Sequence, residues 1–129
     1  MMPNGRSRAG IRRVAVKRHE TTLCKVAIAD EAYVDELLSS DRANLTASTL
    51  DAKAHALVRL GALIAIDAET PAYMWTLESA RRAGASNDEI VGCLLAVMPT
   101  LGVARVVSAA PKLALALGFD VATALEALN

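Results

Sequence analysis

The sequence predicts an all-α fold, and three observations carry that prediction. Apolar residues recur at helical spacing in several segments, and nothing beyond residue 45 alternates with the period of two of a half-buried strand. Aromatic residues are limited to Tyr33, Tyr73, Trp75 and Phe119, so a core has to be built from Ala, Leu, Val and Ile. Side chains that small let helices approach closely, and alanine is the strongest helix former. At 129 residues, with 53% hydrophobic and 22% charged residues, the chain fits a folded domain with a sizeable core rather than a disordered segment. The expected architecture is a compact bundle of about six helices. Residues 1–25 read as a basic, disordered N-terminal arm and residues 26–129 as a single helical domain.

Each helix has a local reason to form. Asp30 can cap a short helix ending near Ser40, with Tyr33, Val34, Leu37 and Leu38 on one face. The polar segment from Asp41 to Thr49 reads as a loop. Ser48 or Thr49 then caps a long helix to about Asp67, striped by Leu50, Leu57, Leu60, Leu63 and Ile64. Thr70-Pro71 opens a third helix, because a hydroxyl caps and proline tolerates the first helical position; Gly84 closes it in a left-handed turn.

Ser86 and Glu89 form a capping box ahead of a helix from Asn87 to Met98, which Pro99 is expected to stop. From Ile90 onward that helix is apolar nearly all round, which requires cover on several sides, some of it from neighbouring subunits. A fifth helix runs from about Thr100 or Gly102 to Leu117. Val103, Val106, Val107, Ala110, Leu113 and Leu117 are expected to face inward, and Arg105, Ser108 and Lys112 to share the opposite side. Pro111 predicts a kink or break within it. Gly118 ends it, and Asp120 caps a last helix to Asn129.

The formal net charge is zero but unevenly placed. Arg6, Arg8, Arg12, Arg13, Lys17 and Arg18 face only Glu20 in the first twenty residues, leaving the rest acidic. Such an arm can be an electrostatic handle for nucleic acid or another acidic surface, but no aromatic is interleaved to stack on bases, so nucleic acid is not the expected partner. Cys24 and Cys93 stand far apart and outside any Cys-x-x-Cys pair, which argues against a disulfide framework and against a metal site. The longest uncharged run, Ile90 to Ala104, is too short to span a bilayer, and no secretory signal is evident. A cytoplasmic protein without a membrane partner is expected.

Lys53, Gly84, the Ser86-Asn87-Asp88-Glu89-Ile90 run and Gly102 are spaced so that the chain resembles the carboxymuconolactone decarboxylase and alkylhydroperoxidase D superfamily. The resemblance covers about half the chain, from Leu50 to Ala109, and rests on Leu50-x-x-Lys53 and Gly102-x-x-Arg105 agreeing jointly with the helix, glycine and capping box between them. It implies a carboxymuconolactone-decarboxylase-like helical fold, a homotrimer or homohexamer, and a pocket near a subunit interface. It also implies reactive side chains on the helix before Gly84: two cysteines and a histidine in the peroxidase branch, and a histidine, commonly after a tryptophan, in the decarboxylase branch.

Counted back from Gly84, those places fall on Glu69, Ala72 and Thr76. Trp75 is present and the histidine after it is not. The chain departs elsewhere too, with Gly102-Val103-Ala104 where the family often has Gly-x-Pro and Ala56 at a frequently acidic position. Without thiols at these places a peroxidase mechanism is not expected. A Thr76 hydroxyl is too weak an acid to replace the histidine that would protonate a carbanion.

Candidate site residues follow from these departures. His55, on the second helix, is the candidate relocated general acid, with Thr76 beside it, because imidazole titrates near the working pH. A surface or hydrogen-bonded structural histidine is the commoner reading of such a residue. Glu69, Tyr73, Trp75 and Arg105 are the candidate substrate-binding residues; each also has a plain reading as a helix-start acid, core packing or a solvated stripe with Lys112. Cys93, among Val91, Leu94 and Leu95, reads as a buried inert thiol. No cofactor is expected. The functional expectation is an atypical non-redox enzyme, a decarboxylase or other lyase or isomerase, on a small carboxylated or lactone-like metabolite. The alternative is a non-catalytic homologue that acts as a ligand-binding or oligomeric scaffold protein.

Overall fold

The computed structural model describes residues 16–129, and the disorder expected of the first fifteen residues lies outside the described ones. Among the described residues there are eight helices and no strand: α1 (Arg18–Ala27), α2 (Glu31–Ser39), α3 (Asp41–Ser48), α4 (Ala52–Ala65), α5 (Thr70–Arg82), α6 (Asn87–Leu101), α7 (Val103–Ala116) and α8 (Val121–Leu128). They fall into two compact units, one ending at Ala47 and one spanning Ser48–Asn129. The sequence suggested an arm to residue 25 followed by one domain. Instead α1 begins within the supposed arm, and a separate unit precedes residue 48.

In the first unit, Asp30 caps α2 by accepting from the Tyr33 amide at 3.0 Å, as its position predicts. The expected loop after Ser40 is helical. Ser40 both closes α2, its amide donating to the Glu36 carbonyl, and opens α3, its hydroxyl accepting from the Ala43 amide at 3.0 Å. A joint of one residue hides that start from a periodicity argument, because α3 has no apolar stripe of its own. No residue of α1, α2 or α3 is fully buried.

The second unit has a true core. Ala56, Leu60 and Ile64 of α4, Tyr73, Leu77 and Ala80 of α5, Ile90 and Leu94 of α6, and Val106, Ala109 and Leu113 of α7 are buried, together with Ala85 in the α5–α6 turn. The spacing within each helix is three or four, so each contributes one face. α7 packs against α4, α5 and α6, and α8 packs on α7. The buried face of α7 differs from the expected one: Ala109 is inside, while Val103 and Val107 are exposed.

Local chemistry sets the helix ends. Asp51, rather than Ser48 or Thr49, caps α4, accepting from the Ala54 amide at 2.7 Å. Ser48 instead ends α3 and accepts from the Leu50 amide, and Thr49 adopts a left-handed φ of 59° in the turn that follows. Glu69 is the N-cap of α5 and makes no side-chain cap bond, which places Thr70-Pro71 inside the first turn. After α5, Gly84 takes φ +90° while the Gly84 amide donates to Arg81 and the Ala85 amide to Ala80, the paired bonds of a Schellman turn. Gly118 ends α7 in the same way. Asp120 caps α8 as expected.

Neither helix proline ends or breaks its helix. α6 continues through Pro99 to Leu101, and α7 continues through Pro111. A proline deprives the carbonyl four residues earlier of its donor. Those residues are Leu95 and Val107, and both of them, like the prolines, lie on exposed sides where water can take the donor's place. Gly102, at φ +85°, is what separates α6 from α7. No single helix among the described residues is long and apolar enough to cross a membrane; α7 and α8 pass such a test only as a pair bent by 100°.

Leu60 is fully enclosed between helices. Leu60→Ala is expected to lower unfolding free energy by about 2–5 kcal/mol, read as a lower urea midpoint with an unchanged denaturant slope.

Candidate functional site

The densest polar constellation forms where the α4–α5 turn meets α7, around Asp67. This residue follows the C-cap of α4 with φ +54°, a left-handed position that glycine usually fills. Its amide donates to Ile64 and the next amide, Ala68, donates to Leu63, closing the helix end. Aspartate tolerates the left-handed region better than most side chains, and here its carboxylate is used. Ser108 Oγ donates to Asp67 Oδ1 at 2.9 Å, and Lys112 Nζ donates to the same oxygen at 3.2 Å. Arg105 Nη1 stands 3.7 Å from Oδ2. Lys112 also donates to the Ala68 carbonyl at 3.3 Å and lies 3.7 Å from Glu69 Oε1. The Ser108 hydrogen bond, followed by that of Lys112, holds the Asp67 carboxyl below its usual range.

The stripe of Arg105, Ser108 and Lys112 on one side of α7 is therefore the one the sequence indicates. What the sequence does not give is its partner. Arg105, expected to hold a substrate carboxylate, faces the chain's own Asp67, and Glu69 joins through Lys112. Two carboxylates and two cations balance, leaving no strong excess charge to draw an ion.

The remaining candidate residues are spread apart. Tyr73 is fully buried, whereas Trp75 is 76% exposed. Two positions along a helix turn a side chain by about 200°, so the two aromatics look to opposite sides of α5 and do not share a wall within this chain. Thr76 is half-buried on α5, and His55 is buried on α4. α4 and α5 pack directly on one another. Tyr73 carries a feature the sequence could not reveal: its hydroxyl is enclosed and has no hydrogen-bond partner among the described residues. Burial, reinforced by the Asp67 charge, pushes its pKa up, which keeps the phenol protonated.

Cys93 is partly buried, and its thiol donates to the Leu57 carbonyl at 3.7 Å. Burial, with the Glu89 charge adding to it, raises the thiol pKa, the opposite of what activates a nucleophile. No three His, Cys, Asp or Glu side chains converge as a metal site among the described residues.

The capping box is complete: the Glu89 amide donates to Ser86 Oγ and the Ser86 amide to Glu89 Oε1, each at 3.0 Å. Glu89 then does a second task, because Lys53 Nζ lies 2.9 Å from its other oxygen. The start of α4 is thereby tied to the start of α6. The backbone amide of Ser86 and then Lys53 hold the Glu89 carboxyl low, and Glu89 raises the Lys53 pKa.

The chain matches no protein family profile, no curated protein and no solved structure.

The two shifted carboxylates set an acid limit. Their folded-state pKa values lie below the ordinary 3.8 of Asp67 and 4.5 of Glu89, so their stabilisation is present above those values and disappears as pH falls through the folded ones. Lys53 acts in reverse, contributing below 10.5 and losing its contribution as pH rises past its raised value. Urea unfolding is expected to show stability falling below pH 4.5, with Asp67→Asn flattening part of that decline. Tyr73→Phe removes an unpaired buried hydroxyl and is expected to raise stability by about 1 kcal/mol in the same assay.

Proposed function

We propose that the second unit is the building block of a homo-oligomer: a carboxymuconolactone-decarboxylase-like helical scaffold, working in the cytoplasm, that keeps a framework without the family's chemistry. One observation carries this reading. Helices that build the core with one side leave apolar stripes on another: Val91 and Leu95 on α6, and Val103 and Val107 on α7. Each pair is spaced by four, so its members are neighbours on one helix face. Val58 of α4 is exposed as well. Monomers seldom leave so much aliphatic surface in water, and a symmetric assembly covers it with copies of itself.

The chemistry of the side chains supports a scaffold over a redox enzyme. The Cys93 thiol is held protonated, and the cations of α7 are engaged with Asp67. The resemblance implies three or six copies. Light scattering after size exclusion is expected to give a multiple of the 13.6 kDa chain mass. Leu95→Glu is expected to shift that mass toward one chain while helical circular dichroism is retained. A wild-type protein that runs as a monomer at micromolar concentration would sink the reading.

One observation favours the second reading, a non-redox decarboxylase, lyase or isomerase acting on a small carboxylated or lactone-like metabolite. Unpaired buried hydroxyls are costly, yet Tyr73 keeps one in the core, with buried His55 on the adjoining helix. On this reading His55 moves the proton and the Tyr73 hydroxyl donates to the bound substrate. In a thermal-shift screen of carboxylates and lactones, a ligand at about a hundred times its Kd adds about 2.7 kcal/mol. The enzyme reading expects a hit whose shift disappears in Tyr73→Phe; no hit leaves the scaffold alone.

A further inference from the structure

Helix α1 turns its cations inward. Arg18, Thr21, Thr22 and Lys25 share one side of the helix by their spacing, and with Tyr33 of α2 and Ala47 of α3 they line a groove of about 320 Å³. All six residues belong to the first unit. No carboxylate lines the groove, and neither Arg18 nor Lys25 has an acidic partner among the described residues. Glu20, the one acid of α1, is two positions from Arg18, which turns it by about 200° to the far side of the helix. There its carboxylate lies 4.0 Å from His19 Nε2. The neighbouring hollow, which shares Tyr33 and Ala47, has both Glu36 and Arg42 in its wall and so balances its own charge. The groove beside α1 does not.

The surroundings hold these cations without neutralising them. Lys25 Nζ lies 5.0 Å from the centre of the half-buried Tyr33 ring, and a ring face steadies an ammonium while leaving its full charge. Arg18 and Lys25 are seven residues apart, about 10.5 Å along the axis, so their long side chains approach the groove from its two ends. Thr21 and Thr22 stand between them, their hydroxyls donating to the Lys17 and Arg18 carbonyls at 3.5 and 3.1 Å. The longer of those bonds is weak enough for an incoming acceptor to replace. The wall is thus rich in donors: five N–H from the guanidinium, three from the ammonium, and a hydroxyl within reach. A ligand that answers it needs negative charge and several acceptor oxygens. A phosphoryl group has three terminal oxygens in a tetrahedron, two of which match the arginine fork while the third remains for the lysine. A carboxylate has two oxygens in one plane and serves one end of the groove at a time. The volume is that of a small-molecule pocket at the lower end of the usual range, about 300 Å³.

We propose that the groove of the first unit binds a small phosphate monoester, with Arg18 and Lys25 holding the phosphoryl oxygens, Thr21 donating between them, and Tyr33 and Ala47 bounding the organic part. The site is separate from the oligomer and from the Tyr73 pocket, both of which rest on the second unit.

The test is a titration of the full ¹⁵N-labelled chain, followed by amide chemical shifts, with phenyl phosphate as the probe and phenylacetate and inorganic phosphate as comparisons. Phenyl phosphate is expected to saturate and to move the amides of Thr21, Thr22 and Tyr33. Phenylacetate and inorganic phosphate are each expected to bind roughly tenfold more weakly or worse. The double variant Arg18→Gln/Lys25→Gln changes only exposed positions, so it should keep its circular dichroism while losing roughly tenfold or more of the affinity. Arg42→Gln, in the neighbouring hollow, and Arg12→Gln/Arg13→Gln, in the basic segment before α1, are expected to leave the affinity unchanged. The proposal is overturned if phenyl phosphate does not saturate, if the shifts centre outside the groove, or if the Arg18/Lys25 variant binds as well as the native chain. Phenylacetate that binds as tightly as phenyl phosphate would overturn the phosphoryl assignment, and inorganic phosphate that does so would overturn the ester. Affinity lost in the Arg12/Arg13 variant would overturn the site by moving it to the basic segment.

Discussion

The second unit depends on how closely α7 can lie against three other helices at once. A third of its buried core is alanine: Ala56, Ala80, Ala85 and Ala109. Small contact residues shorten the distance between helix axes, so the burial of each leucine depends on the position of its neighbours. Gly61 shows the same constraint, since a methyl group there would meet Val97 Cγ1 at 3.4 Å across the α4–α6 contact. Under such a constraint the turns cannot wander. Asp67 fixes one by ending α4 in a left-handed conformation and reaching to Ser108 and Lys112 of α7. Lys53 and Glu89 fix another by joining the first turns of α4 and α6.

The second tie involves residues on which the family resemblance rests. Lys53, Gly84, Ser86, Glu89 and Gly102 carry it, and each has a structural task here: an interhelix ion pair, a Schellman turn, a capping box, and the break between α6 and α7. These tasks belong to a scaffold. The positions counted back from Gly84 behave otherwise, with Glu69 beside Lys112 at the surface and Thr76 half-buried. A pattern made of framework residues speaks about architecture and leaves the reaction open.

What was legible in the sequence was chemistry that acts over three or four residues. Asp30, Ser86 and Asp120 cap as expected, and Gly84 and Gly118 take their left-handed places, because side chain and backbone partner are near in sequence. The errors arose where the deciding partner was distant or was water. Pro99 and Pro111 reside in continuous helices because their orphaned carbonyls face solvent, a fact of burial and not of order along the chain. Arg105, Ser108 and Lys112 were visible as a face, but Asp67 lies some forty residues earlier, and a residue after a helix end gives no sign of where its carboxylate points. Tyr73 and Trp75 looked like one pocket wall only while their helix had no assigned inside.

The apolar surface left exposed on α6 and α7 carries little charge of its own. Val91 and Leu95 of α6 are surrounded in sequence by Gly92, Leu94 and Ala96, and Val103 and Val107 of α7 have Arg105, already paired with Asp67, as their one nearby charge. Two such faces can meet without bringing unpaired like charges together, which is the condition a symmetric interface imposes on any patch that must complement itself.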